Sequence, residues 1–253
     1  MRRFDGRTII VTGSSGGIGK SVTDLLLNLG ARVLAVDVAP PVNNPVTAPT
    51  NFKYFQCDLS KSDELDKLIA EIAPHEPDSL VALAGIVVSG ELISQSDSSV
   101  EQVIQTNLIS QINLAKRIIA TWIKGDIKGN IVFVSSWVDH VPWPGITPYS
   151  ASKAGLVAAC RGIAREFATR GIRANLIAPG IVDVGMAAKQ WREEPDYRAR
   201  AGRAIPLGRL QQPEEVATGI SFLLSDEASY MTGSTLLIDG GASLYPMDPE
   251  EVR

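Results

Sequence analysis

Short runs of consecutive apolar residues recur through this chain without polar residues alternating between them. Thr8–Val11, Val33–Val36, Leu80–Leu83, Ile131–Val134, Ala174–Ile177 and Leu236–Ile238 are the clearest, and Tyr54-Phe55 is a shorter candidate. A strand that is apolar on both of its faces is covered on both faces, which points to a parallel sheet between two helical layers. Amphipathic segments lie between the runs. Val22, Leu25, Leu26 and Leu29 fall at i, i+3, i+4 and i+7 of a helix over 21–29, and Gly30 stops it. Further helices are expected over 62–73, opened by Ser62 as a cap, over 98–124, and over 150–169 with Leu156, Cys160, Ile163 and Phe167 on one face. A last one covers 213–224, with Pro213 in its first turn and Glu214-Glu215 near its positive end. The prolines and asparagines of Pro40–Pro49 make that stretch a loop. The pattern predicts an α/β fold of about seven strands and six main helices, a Rossmann-like doubly wound sheet. No linker or internal repeat divides it, so residues 1–253 read as a single domain.

Composition narrows the function classes. Basic residues number 24 and acidic ones 28, a net charge of −4, so no basic excess exists to neutralise phosphates and nucleic acid is not an expected partner. No apolar run approaches the ~20 residues that a membrane span needs. Cys57 and Cys160 make no disulfide framework. His75 and His140, without clustered acids, offer no metal site. The start, Met1 to Arg7, lacks a signal-peptide apolar core, which sets the cytoplasm as the expected location.

The first apolar run leads into Thr12-Gly13-Ser14-Ser15-Gly16-Gly17-Ile18-Gly19 and then a helix. Glycines at such a turn let the backbone approach a pyrophosphate, and the helix start offers free N–H groups and partial positive charge. Asp37 ends the second run. A carboxylate there accepts hydrogen bonds from ribose hydroxyls and repels a 2′-phosphate. Gly16 and Val38 supply no compensating base, so the expected cofactor is NAD.

Tyr149 and Lys153 are four apart, on one face of a helix. An ammonium beside a phenol favours phenolate and lowers the tyrosine pKa from its usual ~10. Such a tyrosine exchanges a proton with an alcohol or carbonyl. Ser136 ends a strand, where it can hydrogen-bond the same oxygen.

Thr12-Gly-x-x-x-Gly-x-Gly19, Asp58-Leu59, Ala84-Gly85, Asn107, Ser136, Tyr149-x-x-x-Lys153 and Pro179-Gly180 occur in this order. Together they resemble the short-chain dehydrogenase/reductase family, from about Phe4 to Leu244. The resemblance implies a catalytic set of Asn107, Ser136, Tyr149 and Lys153. Tyr149 would be the general acid/base, Ser136 would orient the reacting oxygen, and Lys153 would also hold ribose hydroxyls. Asn107 would position a water. The implied cofactor contacts are Gly13, Ser15, Gly17, Ile18, Gly19, Asp37, Asp58 (at the adenine), Leu59, Ala84, Gly85, Tyr149, Lys153, Pro179, Gly180 and Val182. Asp239-Gly240-Gly241 would fall at a subunit interface of a homotetramer.

Two departures stand out. The family's Asn-Asn-Ala-Gly reads Ala82-Leu83-Ala84-Gly85, so side-chain support of the central strand is expected to be lost. Val184 stands where the family often has a threonine for the carboxamide. Substrate contacts are expected from Ser136, Trp137, His140, Trp143 and Tyr149, and from a lid over about 184–206. The aromatic and polar mixture suits a sugar, polyol or cyclic alcohol. The lid's bases, among them Lys189, Arg192 and Arg200, suit an anionic one. The expected activity is interconversion of a secondary alcohol and its ketone or lactone with NAD. A non-catalytic NAD-binding sensor or scaffold is the alternative. An enoyl reductase is disfavoured, because those relatives space tyrosine and lysine more widely.

Overall fold

The computed structural model describes residues 3–40 and 50–244. Most of the Pro40–Pro49 loop therefore lies outside the described residues. Seven parallel strands form one sheet: β1 (Thr8–Thr12), β2 (Arg32–Asp37), β3 (Phe52–Gln56), β4 (Ser79–Ala82), β5 (Asn130–Val134), β6 (Arg173–Pro179) and β7 (Thr235–Ile238). Their order is β3-β2-β1-β4-β5-β6-β7. The chain order thus reverses between β1 and β4, where doubly wound sheets form a ligand crevice at their carboxyl ends. Every strand run expected from the sequence is a strand, shifted at its ends by a few residues.

Both faces of the sheet are covered, which is why the strands need no polar side. Ile10, Leu34, Leu80, Ile131 and Leu176 point into one layer, with α2 (Ser62–Ile72), α4 (Ser110–Gly125) and α5 (Thr147–Phe167). Ile9, Val11, Val33, Val81 and Val132 point into the other, against α1 (Gly17–Asn28) and α8 (Pro213–Leu224). Trp122, fully buried, anchors α4 and donates its indole N–H to the Pro77 carbonyl at 2.5 Å.

The structure corrects three local readings. Ser62 is not the cap of α2. Lys61 holds that position, and the Ser62 hydroxyl accepts from Arg117 Nη2 at 2.8 Å. The helix expected over 98–124 is two, α3 (Asp97–Ile104) and α4, joined by a π turn over Gln105–Ile109. One wider turn of this kind re-aims a side chain inside an otherwise regular helix. The segment after Val184 folds as α6 (Gly185–Glu193) and α7 (Pro195–Ala204). Pro195 cannot continue a helix and forces Glu194 into extended backbone, which breaks the two apart.

At the start of α8, Glu215 accepts from Arg209 at 2.7 and 2.8 Å and from the Gln212 N–H at 2.8 Å. The Arg209 guanidinium and that N–H hold its carboxyl down to about 2. A carboxyl lowered on folding stabilises above its unfolded value of ~4.3, and the contribution fades as the pH falls towards the folded one. Glu215→Gln should cost about 1 kcal/mol or less at neutral pH, since the pair is half in solvent. Thermal melts across pH should show the difference closing by about pH 2.

Candidate active site

A cleft runs along the carboxyl ends of the strands. Its first section, about 580 Å³, is lined by Gly13, Ser15, Asp37, Asp58, Leu59 and Ala84, among others. A second section of about 260 Å³ is bounded by Gly17, Ile18, Gly85, Ser136, Tyr149, Lys153, Pro179, Gly180 and Val182. A third, about 270 Å³, shares Ser136 and Tyr149 with the second and is walled by Trp137, Trp143, Ile146, Val184, Met186 and Gln190. Shared residues join the three end to end.

The glycine turn is shaped by contacts that leave no room for side chains. A Cβ on Gly19 would lie 2.1 Å from the Gly13 carbonyl oxygen, and one on Gly17 would meet Val184 Cγ1 at 2.5 Å. Gly13 takes a φ of +66°, with Ala84 Cα 2.9 Å from where its Cβ would stand. The turn therefore lies tight on the β4 end and begins α1 at Gly17, with no side chain capping the helix. Its first N–H groups are left for an anion, so the cradle fits a dinucleotide's pyrophosphate. Asp37 Oδ2 accepts from Ser15 N at 2.9 Å and Oδ1 from Ala39 N at 3.0 Å. Tyr54 closes the corner, donating to the Ala39 carbonyl at 2.5 Å with Ser15 Oγ at 3.2 Å. Asp58 Oδ1 accepts from the Ser60 N–H and hydroxyl at 3.0 and 2.7 Å, and the Ser60 hydroxyl holds its carboxyl below the usual range.

The β4 end is held although its two amides are missing. Thr12 Oγ1 accepts from the N–H groups of Leu83 and Ala84 at 3.0 and 3.2 Å, and Gln111 Nε2 donates to the Ala84 carbonyl at 2.7 Å. The expected loss of side-chain support is thus corrected. Neither residue was readable as a partner, because the three bonds span about seventy or thirty residues of chain. Val184 fills the space above Gly17 with its methyls, an apolar contact in place of a hydroxyl.

Asn107 lies in the π turn, fully buried. Its Oδ1 accepts from Ile86 N and its Nδ2 donates to the Ile86 carbonyl, both at 2.8 Å, and Nδ2 also reaches Ser152 Oγ at 3.1 Å. The side chain is a clamp on the loop after Gly85.

Tyr149 and Lys153 rise from the first turns of α5. Lys153 Nζ donates to the Val134 carbonyl at 2.7 Å and stands 5.5 Å from the Tyr149 ring centroid. Burial lowers the lysine to about 8, with the Asp139 charge opposing. Burial raises the Tyr149 phenol, a hydrogen bond with Ser136 lowers it, and Asp139 raises it further. The expected depression of Tyr149 by Lys153 is corrected: in the chain alone the ammonium is engaged by a carbonyl and desolvation wins.

Among the expected substrate residues, Trp137 and Trp143 line the third section and stack edge-on at 5.4 Å. His140 does not line it. Its ring turns outward, half in solvent, and donates from Nδ1 to the Asp139 carboxylate. The lid bases are partly spent as well: Lys189 pairs with Glu193 at 3.8 Å and Arg192 with Asp183 at 3.7 Å, while Arg200 lies 5.0 Å over the Trp143 ring. Met186 and Gln190, within the expected lid, also wall this section.

A phosphate-cradling turn, an acid at the β2 end, and a serine, tyrosine and lysine in one cleft define an oxidoreductase on a Rossmann-like sheet. Residues 13–243 match the family model described as Enoyl-(Acyl carrier protein) reductase. The chain is 35% identical to the 3beta-hydroxysteroid dehydrogenase 1 of Eggerthella lenta over 249 residues, covering 95% of each. It is also 35% identical to a 3-oxoacyl-(acyl-carrier-protein) reductase of Thermotoga maritima, over 94% of this chain and 98% of that one. A 4-hydroxyisoleucine dehydrogenase complexed with NADH superposes with a TM-score of 0.88 at 27% identity, over 95% of this chain and 100% of the other. The chain belongs to the short-chain dehydrogenase/reductase family. No helix among the described residues is long and apolar enough to cross a membrane.

Proposed function

We propose that this enzyme interconverts a secondary alcohol and its ketone with NAD(H). The observation that carries the reading is the continuous cleft from Asp37 to Ser136, Tyr149 and Lys153, whose Asp37 end is lined by no lysine or arginine among the described residues. The neighbouring stretch 41–49 also contains none. A carboxylate without a nearby base favours free ribose hydroxyls over a 2′-phosphate.

In this reading Gly13, Gly17 and Ile18 cradle the pyrophosphate, Asp37 takes the adenosine ribose and Lys153 the nicotinamide ribose. NAD, when bound, supplies the hydride acceptor, and NADH the donor. Tyr149 Oη takes the hydroxyl proton during oxidation and returns it during reduction. Ser136 Oγ hydrogen-bonds the same substrate oxygen and keeps it in line. Asn107, through Ile86, fixes the wall opposite. The four-residue spacing of Tyr149 and Lys153 supports this over enoyl reduction.

The third section of the cleft supports an apolar member of the expected alcohols. Its walls are two tryptophans and aliphatic side chains, with Ser136, Tyr149 and Gln190 as its polar side chains. A sugar or polyol would leave most of its hydroxyls unpaired there, at a cost for each. An alcohol with an apolar body, cyclic or extended, fits. The names of the two relatives, a hydroxysteroid dehydrogenase and an oxoacyl reductase, accord with this. By family resemblance the enzyme is a homotetramer, which light scattering checks.

A panel of secondary alcohols with NAD tests the reading. Production of NADH from apolar members is expected, and no turnover together with no NAD binding would sink it. Asp37→Ala should weaken NAD binding by roughly 1.5–3 kcal/mol, ~10- to 150-fold in Kd, while NADP binding improves. Calorimetry with both dinucleotides reads it, and equal losses for the two would contradict the role of Asp37.

A further inference from the structure

The proposed chemistry leaves one ionisable pair beside the cleft without a role. Asp139 ends the short helical turn Trp137–Asp139 after β5, with only 6% of its side chain exposed. One carboxylate oxygen accepts from Ser135 Oγ at 2.7 Å, and the other accepts from His140 Nδ1. The Asp139 N–H donates to the Ser136 carbonyl at 3.0 Å. Ser135 Oγ also lies 3.4 Å from the carbonyl of Lys153. Asp139 thus ties together the two serines at the β5 end and, through Ser135, reaches the turn of α5 that carries Lys153.

A buried carboxylate is costly unless a partner offsets its charge. Ser135 offers a neutral hydroxyl. His140, 52% exposed, is the partner that can carry a charge, and it does so only when protonated. The other ionisable groups on this side are Tyr149 and Lys153 from α5, both subject to the Asp139 charge. From the lid, the Arg200 guanidinium lies 5.0 Å above the Trp143 ring. The imidazole is therefore the exposed partner of a buried charge beside the cleft.

We propose that Asp139 and His140 are a positioning pair for the Tyr149–Lys153 couple: the buried carboxylate anchors Ser135 and imposes a negative field, the Asp139 N–H anchors the Ser136 carbonyl, and the hydrogen bond from His140 offsets part of that field. This deepens the reading of Tyr149 as acid/base and rests on it. Charge on Asp139 favours the protonated forms of both Tyr149 and Lys153. The hydrogen bond from His140 offsets part of that charge and eases loss of the phenolic proton.

The test is the pH profile of kcat/KM for alcohol oxidation by the full-length chain. Asp139→Asn keeps the shape and an acceptor for Ser135, and should move the rising limb to lower pH by about one unit. His140→Gln, which removes the imidazole from the same carboxylate, should move it to higher pH, and should have no effect in the Asp139→Asn background. A difference titration of tyrosinate absorbance, each chain against its Tyr149→Phe counterpart, should show the same displacements without turnover. Unmoved limbs with kcat uniformly reduced would overturn the proposal, as would a His140→Gln effect that persists without the carboxylate. If no alcohol is oxidised, the dehydrogenase reading falls and the titration still decides for or against the pair.

Discussion

Tyr149→Phe is expected to lower kcat for alcohol oxidation by ~10²–10⁴-fold, the usual contribution of a positioned acid/base, with the dissociation constant for NAD nearly unchanged. The ring stays, so its contact with Lys153 and the packing of the cleft wall stay too. Only Oη and its hydrogen bond with Ser136 are lost. Stopped-flow or steady-state NADH absorbance gives the rate, and calorimetry gives the affinity. The substitution also separates an enzyme from a chain that only senses the dinucleotide. A sensor would lose nothing, because the phenolic proton takes no part in binding. A drop in affinity as large as the drop in rate would instead assign Tyr149 a role in holding the cofactor. In the wild type, oxidation should quicken as pH rises, because the phenolic proton must leave before Oη can accept another and burial keeps it on.

Gly19→Ala should be the most damaging single methyl in the cofactor section. The new Cβ would stand 2.1 Å from the Gly13 carbonyl oxygen and 2.8 Å from Ser14 Cα. Both are backbone atoms, so no rotamer change relieves the overlap, and the turn must lift from the helix. Forced overpacking costs about 1–3 kcal/mol. The lifted turn also withdraws N–H groups from the anion site, and each ~1.4 kcal/mol of lost contact is tenfold in affinity. Thermal melts and NAD titrations should both fall, with the affinity loss exceeding tenfold. Gly162→Ala is the control, since a Cβ there meets nothing within 4 Å. Unchanged NAD affinity in Gly19→Ala would show that the turn does not touch the cofactor.

The sheet was readable in the sequence because its strands are apolar on both faces. Ile131–Val134 has no polar position to confuse the period, and the layers of α4 and α8 explain why. The glycine turn and the Tyr149–Lys153 spacing were readable because local geometry fixes both. What failed depends on where loops and side chains turn in space. His140 stands six residues after the β5 end, and nothing local tells whether it faces the cleft or the solvent. The support of the β4 end by Thr12 and Gln111 joins distant segments, so a missing amide in Ala82-Leu83 looked like a loss. The burial that raises the Tyr149 phenol, and the Val134 carbonyl that accepts from Lys153, are likewise set by segments distant in the chain.

The π turn over Gln105–Ile109 sets the phase of everything after it. Each α-helical residue turns the axis by about 100°, so the extra residue of the wide turn is a built-in frame shift. Before it, Val103 faces the core; within it, Asn107 faces Ile86; after it, Leu114, Ile118 and Trp122 face the sheet again. A straight helix of the same length could satisfy the clamp or the core, but not both. The chain between Ser96, whose hydroxyl caps α3, and Trp122 is consequently counted to the residue: shortening it by one would swing the hydrophobic stripe of α4 off the sheet. The cleft and the core are thus kept in step by one surplus residue.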